Sequence, residues 1–226
     1  MGGQACVFYG GAEFSRDTDL VILSSSENIE RLQRALYHLK AESIAVPPLS
    51  EEYLNRGHAV HFRSRHPEAP GLRVDVMARM RGVDPFPLLW DRRTTVTDDD
   101  GSVYELLAVT DLVRAKKTQR DKDWPMIRRL LEAHYFQNRD APDAPKITFW
   151  LREMRTPELL IEVAENHPQI RKQVLPDRPL LSLAARDFLG PLSSALEEEE
   201  KRERALDREY WQPLKEELER LRRQRI

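Results

Sequence analysis

GGQACVFYGGAEFSRDTDLVIL, residues 2–23, decides how the rest of the chain is read. Thr18-Asp19-Leu20-Val21-Ile22-Leu23 is a run of strand-forming residues led by two acids, Asp17 and Asp19. Side chains alternate faces along a strand, so Asp17, Asp19 and Val21 share one face, and Thr18, Leu20 and Ile22 share the other. Two carboxylates at the head of an apolar strand are costly to bury unless something binds them. A divalent cation is one solution, because paired hard oxygen ligands suit Mg²⁺ or Mn²⁺. The other is a solvated pair at the start of a strand, where Asp also serves in turns. Residues 4–9 read as a short helix ended by Gly10-Gly11, with Cys6 a core thiol.

The spacing upstream adds a second signal. Gly2-Gly3 is followed by Gln4 through Arg16 and then by Asp17-Thr18-Asp19, with Ser15-Arg16 as the lead-in. This resembles the signature of the polymerase-β-like nucleotidyltransferase superfamily, in which a Gly-Gly or Gly-Ser pair precedes an acid-x-acid strand. The resemblance implies a small mixed sheet flanked by helices. It also implies transfer of a nucleoside monophosphate from a triphosphate such as ATP. In that reading Asp17 and Asp19 hold the metal, and Gly2, Gly3, Ser15 and Arg16 lie at the nucleotide. Members of the superfamily place a helix and a strand ahead of the Gly pair. Either the start is truncated here, or another segment does that work.

Leu72-Arg73-Val74-Asp75-Val76-Met77 is a second strand, with Leu72, Val74 and Val76 on one face and Arg73, Asp75 and Met77 on the other. The resemblance predicts a third carboxylate on a neighbouring strand, which completes the metal site and acts as base toward the attacking hydroxyl. Asp75 occupies that place. Alternatively Asp75 pairs with Arg63 or Arg73, as buried acids do.

Val109, Leu112, Val113 and Lys116 fall at helical spacing, which puts Lys116 on the apolar stripe and Lys117 toward solvent or a cleft rim. Lys116 either snorkels or meets a phosphate. Lys116 through Asp123 resembles the Lys…Arg-x-Lys-Asp segment of bacterial nucleotidyltransferases of the abortive-infection and toxin type. That implies a triphosphate contact for Lys116, with Asp123 beside it and in its absence a pairing with Asp75 or Asp123. Asp123 is also a fitting N-cap for a helix opened by Trp124-Pro125.

Elsewhere the pattern predicts a crossover helix over 27–41, capped within Ser24-Ser25-Ser26. A short strand follows at Ser43–Val46, then a helix or turn at 50–56 and a strand at His58–Arg63. Residues 79–102 read as a connection ending in an acidic turn, Asp98-Asp99-Asp100-Gly101, and Val103–Leu107 as a final strand. His58 and His61 point apart on their strand and make poor joint zinc ligands. Residues 142–226 read as helices: Ile147–Met154, Pro157–Asn166, Pro179–Asp187 and a long segment from about 191, kinked at Pro213. Its stripe, Leu206, Tyr210, Leu214, Leu218 and Leu221, either packs back on the body or, with the basic tip Leu221–Arg225, serves a protein or RNA partner.

The chain of 226 residues has room for one α/β (α+β) domain, 1–138, and a helical C-terminal region, 139–226. A net charge of -2 gives no case for bulk nucleic-acid affinity and leaves local patches to decide, and one cysteine excludes a disulfide framework and fits a reducing cytoplasm. No stretch approaches the ~20 apolar residues of a membrane span, and no secretory signal is visible. The expected function is metal-dependent nucleotidyl transfer to a hydroxyl of RNA, protein or a small molecule. The alternative is a non-catalytic partner that keeps the fold in a toxin–antitoxin or regulatory system.

Overall fold

The computed structural model of the chain describes residues 1–224, so Arg225 of the expected basic tip lies outside the described residues. The fold is mixed α/β with two compact units. The first is built from Met1–Phe8, Ala12–Ala115 and the chain from Glu209 on, the second from Tyr9–Gly11 and Lys116–Arg208.

In the first unit, α1 (Gly2–Phe8) leads through a glycine turn, with Gly10 at φ +74°, to β1 (Asp17–Val21). Then come α2 (Ser26–His38), β2 (Glu42–Ser43), α3 (Glu51–Arg56), β3 (Val60–Arg63) and β4 (Arg73–Met77). Ser25 caps α2 by accepting from the Asn28 N–H, and Ser50 caps α3 from the Tyr53 N–H. The four strands form one sheet in the order β1-β4-β3-β2. β1 and β4 run parallel, whereas the other neighbours are antiparallel. The crossover from β1 to β4 therefore passes through α2, β2, α3 and β3. This corrects the expected β-α-β unit, since α2 feeds an antiparallel edge strand.

The alternation read from the sequence is the alternation of the sheet. Val74, Val76, Val60 and Phe62 are buried on one face, where Ile29 and Leu36 of α2 and Leu54 of α3 close the core. The opposite face is left to polar residues, and there the site is built.

The remainder of this unit departs from expectation. Residues 79–102 hold a helix, α4 (Phe86–Asp91), and a strand, β5 (Thr94–Thr97). β5 pairs with β6 (Val103–Leu106) across the acidic turn, as a separate two-stranded sheet. β6 is thus no strand of the main sheet, and the strand expected at Ser43–Val46 is reduced to Glu42–Ser43. Val46, Pro47 and Pro48 explain the loss, because proline supplies no ladder N–H. Arg92 anchors this segment by donating from Nε and Nη2 to the buried Asp111 of α5 (Val109–Ala115), at 2.6 and 2.8 Å.

The second unit is helical: α6 (Asp123–Asn138), α7 (Ala144–Glu153), α8 (Pro157–Asn166), α9 (Pro168–Val174) and the first part of α10 (Leu189–Gln224). Its core is formed by Ile127, Leu130, Trp150, Leu151, Met154, Leu160 and Leu192, all buried. The helix expected over 179–187 is two 3₁₀ turns, Pro179–Leu183 and Arg186–Phe188, and α9 is a helix the pattern did not show. Buried Arg178 ties the turns down: it donates to the carbonyls of Leu151 and Met154 and pairs with Glu199, itself paired with Arg155.

α10 continues through Pro213. Residues from Glu209 on belong to the first unit, where Leu214 lies beside Gly57 and Glu217 pairs with Arg56 and with His58, Nε2 to Oε2 2.8 Å. The packing-back reading thus holds for Leu214, while Leu206 of the expected stripe is exposed.

Candidate functional site

The polar face of the main sheet is fixed by strand register. Asp17 lies opposite Arg73, and Asp19 opposite Asp75, in the parallel β1–β4 pair. Across β4, Asp75 faces His61 and Arg73 faces Arg63. Directly paired residues project to the same side. Asp17, Asp19 and Asp75 therefore share one face of one sheet, Asp19 and Asp75 side by side on strands about 4.8 Å apart.

Each acid is held differently. Gly2 and Gly3 open α1 against Asp19. The Gly3 N–H donates to Asp19 Oδ2 at 3.3 Å, and the amino group of Met1 donates to the Asp19 carbonyl at 2.8 Å. Gly2 sits at φ +69°, and a Cβ placed there would run into the Asp19 carboxylate. A Cβ at Gly3 would run into Ser15. Gly2 thus needs glycine for both backbone freedom and close approach, and Gly3 for close approach alone. Ser15 Oγ donates to the Asp17 carbonyl at 3.0 Å and so turns the chain into β1. Arg16 is exposed, with its guanidinium 5.8 Å from the ring centre of Phe14, a ring 67% exposed.

Asp75 is paired with Arg73, one of the two arginines the sequence left open, and with the ring of His61. Arg73 Nε donates to Asp75 Oδ1 at 2.8 Å, and His61 Nδ1 lies 2.8 Å from the same oxygen. Burial pushes the Asp75 carboxyl up, but hydrogen bonds from His61 and Arg73 outweigh it and hold it below the ordinary carboxylate range. Arg73 is pushed up by its bond to Asp75, against desolvation and with further help from the charges of Asp75, Asp17 and Asp19. One guanidinium thus answers three carboxylates. Among the described residues, no group of three or more His, Cys, Asp or Glu is assembled to hold a metal ion. The donors on this face are hard carboxylate oxygens, the type that Mg²⁺ and Mn²⁺ take, and glycine backbone packs directly on one of them.

Lys116 and Asp123 belong to the second unit and meet each other there. Lys116 Nζ lies 3.3 Å from Asp123 Oδ1, both side chains buried. Thr118 Oγ1 and Arg120 Nε donate to Asp123 Oδ2 at 2.6 and 2.8 Å. Burial raises the Asp123 carboxyl, yet Lys116, Thr118 and Arg120 together keep it depressed. Asp123 is the first residue of α6 rather than its N-cap, which is Lys122. Lys117, expected toward solvent or a cleft rim, is mostly shielded from solvent, and its Nζ pairs with Glu153 at 2.6 Å.

His61 is the residue the sequence reading passed over, having weighed it only with His58. The signal was the strand pattern: numbering back from Arg63 as Asp75 is numbered on from Arg73 puts them in register. His58 goes elsewhere, to Glu217. No protein-family model matches the chain, and no curated protein matches it.

Proposed function

We propose that the chain is a metal-dependent nucleotidyltransferase, moving a nucleoside monophosphate from a nucleoside triphosphate to an acceptor hydroxyl of RNA, a protein or a small molecule, with release of pyrophosphate. The observation that carries this reading is the register of β1 and β4, which sets Asp19 beside Asp75 with Asp17 on the same face. Asp17, Asp19 and Asp75 would hold Mg²⁺ or Mn²⁺, and the ion would neutralise phosphate charge there. Gly2 and the Gly3 N–H bring bare backbone directly against the Asp19 carboxylate and hold it in place. Asp75, ionised at neutral pH, accepts a hydrogen bond from the acceptor hydroxyl and orients it. Most of the work is positioning and charge neutralisation. The nucleotide roles of Ser15, Arg16, Lys116 and Asp123 rest on the resemblance alone.

The test is thermal stability with each triphosphate, with and without Mg²⁺, followed by incubation of labelled triphosphates with total cell RNA or protein. Wild type is expected to be stabilised only by nucleotide and metal together and to transfer label. Asp19→Asn should lose more than about 100-fold of the transfer. Transfer that survives in Asp19→Asn would sink the reading.

A second reading is a non-catalytic partner that keeps the fold in a toxin–antitoxin or regulatory system. The observation favouring it is that Arg73 and His61 already satisfy Asp75. Nucleotide-independent melting and no transfer would select it.

A further inference from the structure

The sheet of β5 and β6 has only two strands and stands apart from the main sheet. Thr94 pairs with Leu106, Thr95 with Glu105, Val96 with Tyr104 and Thr97 with Val103. The Asp98 N–H donates to the Ser102 carbonyl at 2.9 Å and sets the phase of the ladder. Only every second residue of an antiparallel pair bonds across, so Thr94 and Val96 bond to β6, while Thr95 and Thr97 turn their backbone N–H and C=O groups outward. Among the described residues, neither Thr95 nor Thr97 has a backbone partner on that side, and both are exposed. Open edges are ordinarily blunted by charge, proline or a bulge. β6 carries Glu105 on its edge, whereas β5 is Thr-Thr-Val-Thr and carries no such device.

The charge around β5 is one-sided. Asp91 precedes it and Asp98, Asp99 and Asp100 follow it, all exposed. Asp98 and Asp100 accept from the backbone N–H groups of Asp99 and Ser102, and among the described residues none of the four has a cationic partner. The arginines between them are already neutralised, Arg92 by Asp84 and Asp111, and Arg93 by Glu105. A second copy laid antiparallel on β5 would set Asp91 beside the acidic turn of its mate, and like charges so placed repel. We infer that the outer edge of β5 is a docking strand, which takes an extended basic segment of another protein by strand addition. The backbone of that segment bonds to Thr95 and Thr97, and its Lys or Arg side chains meet Asp91 at one end and the acidic turn at the other. β5 is about 13 Å long, so those cations stand about five residues apart. A third strand also steadies the ribbon, since two strands alone are marginal in water. Main-chain bonds supply the affinity, and the carboxylates select the partner.

The probe is a labelled octapeptide, two lysines on each side of Val-Thr-Val-Thr, added to the full chain. Binding is followed by fluorescence anisotropy and by amide hydrogen exchange. In the free protein the Thr95 and Thr97 amides should exchange fast and those of Thr94 and Val96 slowly. The peptide should slow Thr95 and Thr97 by about tenfold or more, a readout on the wild-type chain that needs no variant to fold. Thr97→Pro removes an outward N–H and spares the ladder to β6, and should weaken binding about tenfold. Asn at positions 98, 99 and 100 together keeps the turn acceptors and should weaken it by a similar factor. The same peptide N-methylated at alternate residues keeps its charge and should leave exchange unchanged. No binding, or binding without slowed exchange at Thr95 and Thr97, or equal binding of the N-methylated peptide, overturns the inference. Exchange at these two amides that slows with protein concentration alone overturns it too, and identifies a second copy as the occupant.

Discussion

Gly2 shows how much one missing carbon can settle. Its φ of +69° and its contact with the Asp19 carboxylate each exclude a side chain. Gly2→Ala is expected to cost about 1–3 kcal/mol, from the left-handed backbone and the displaced carboxylate. The melting temperature should fall, and Mg²⁺-dependent nucleotide stabilisation should fall with it. A variant as stable and as responsive as wild type would mean that the Gly2–Asp19 approach is unimportant. The acids themselves were legible from alternation: a strand has a period of two, so Asp17, Asp19 and Asp75 could be assigned to faces without coordinates. The partners of Asp75 were only half legible. Arg73 lies on the same strand and was among the candidates, but His61 depends on the register between two strands. Register is a property of pairing that no single segment carries.

At the scale of elements, the 116–123 loop and the α6–α7 pair carry separable behaviours. Asp123 is buried with three donors, so Asp123→Asn breaks a buried charge cluster and should cost about 3–5 kcal/mol. Lys116→Met should cost less, because Thr118 and Arg120 still satisfy the carboxylate. Chemical denaturation ranks the two, and a larger loss for Lys116→Met would contradict this arrangement. In α6 and α7, His134 Nδ1 accepts from the indole N–H of Trp150 at 2.9 Å. Burial, and then the charge of Lys146, push the His134 pKa down. A depressed imidazole contributes stability that is present above its unfolded pKa of about 6.5 and lost as pH falls through the folded one. The melting temperature should therefore drop as the pH falls below about 6.5. His134→Gln, whose carbonyl accepts at any pH, should flatten that part of the profile; an unchanged slope would reject the assignment. The Lys116–Asp123 pair was one of the two pairings expected for Lys116, but His134–Trp150 was not legible, because helical phase places a residue on a face without naming what lies across from it. The sequence pattern also missed α4 and β5, where Pro85, Pro87 and Gly82 read as breakers although Pro87 sits harmlessly in the first turn of α4.

For the molecule as a whole, the first unit is discontinuous: it takes Met1–Phe8, Ala12–Ala115 and the chain from Glu209 on. A chain ended after Arg208 would keep every acid of the candidate site. It would lose the Leu214 contact beside Gly57 and the Glu217 links to Arg56 and His58. His58, fully buried, would be left without its carboxylate. Such a truncation should melt several degrees lower and expose the α3–β3 junction to protease. Equal protease resistance with and without residues 209–224 would show that α10 is dispensable there.

That discontinuity sets a clock. Residues 116–208 must be synthesised before Glu209 can appear. At roughly 5–20 residues per second this takes about 5–20 s. Throughout that interval the sheet with its acids can form, but His58 waits for its partner. The contact that closes the α3–β3 junction is thus supplied by residues made last, and His58 meets its carboxylate only after translation has passed residue 217.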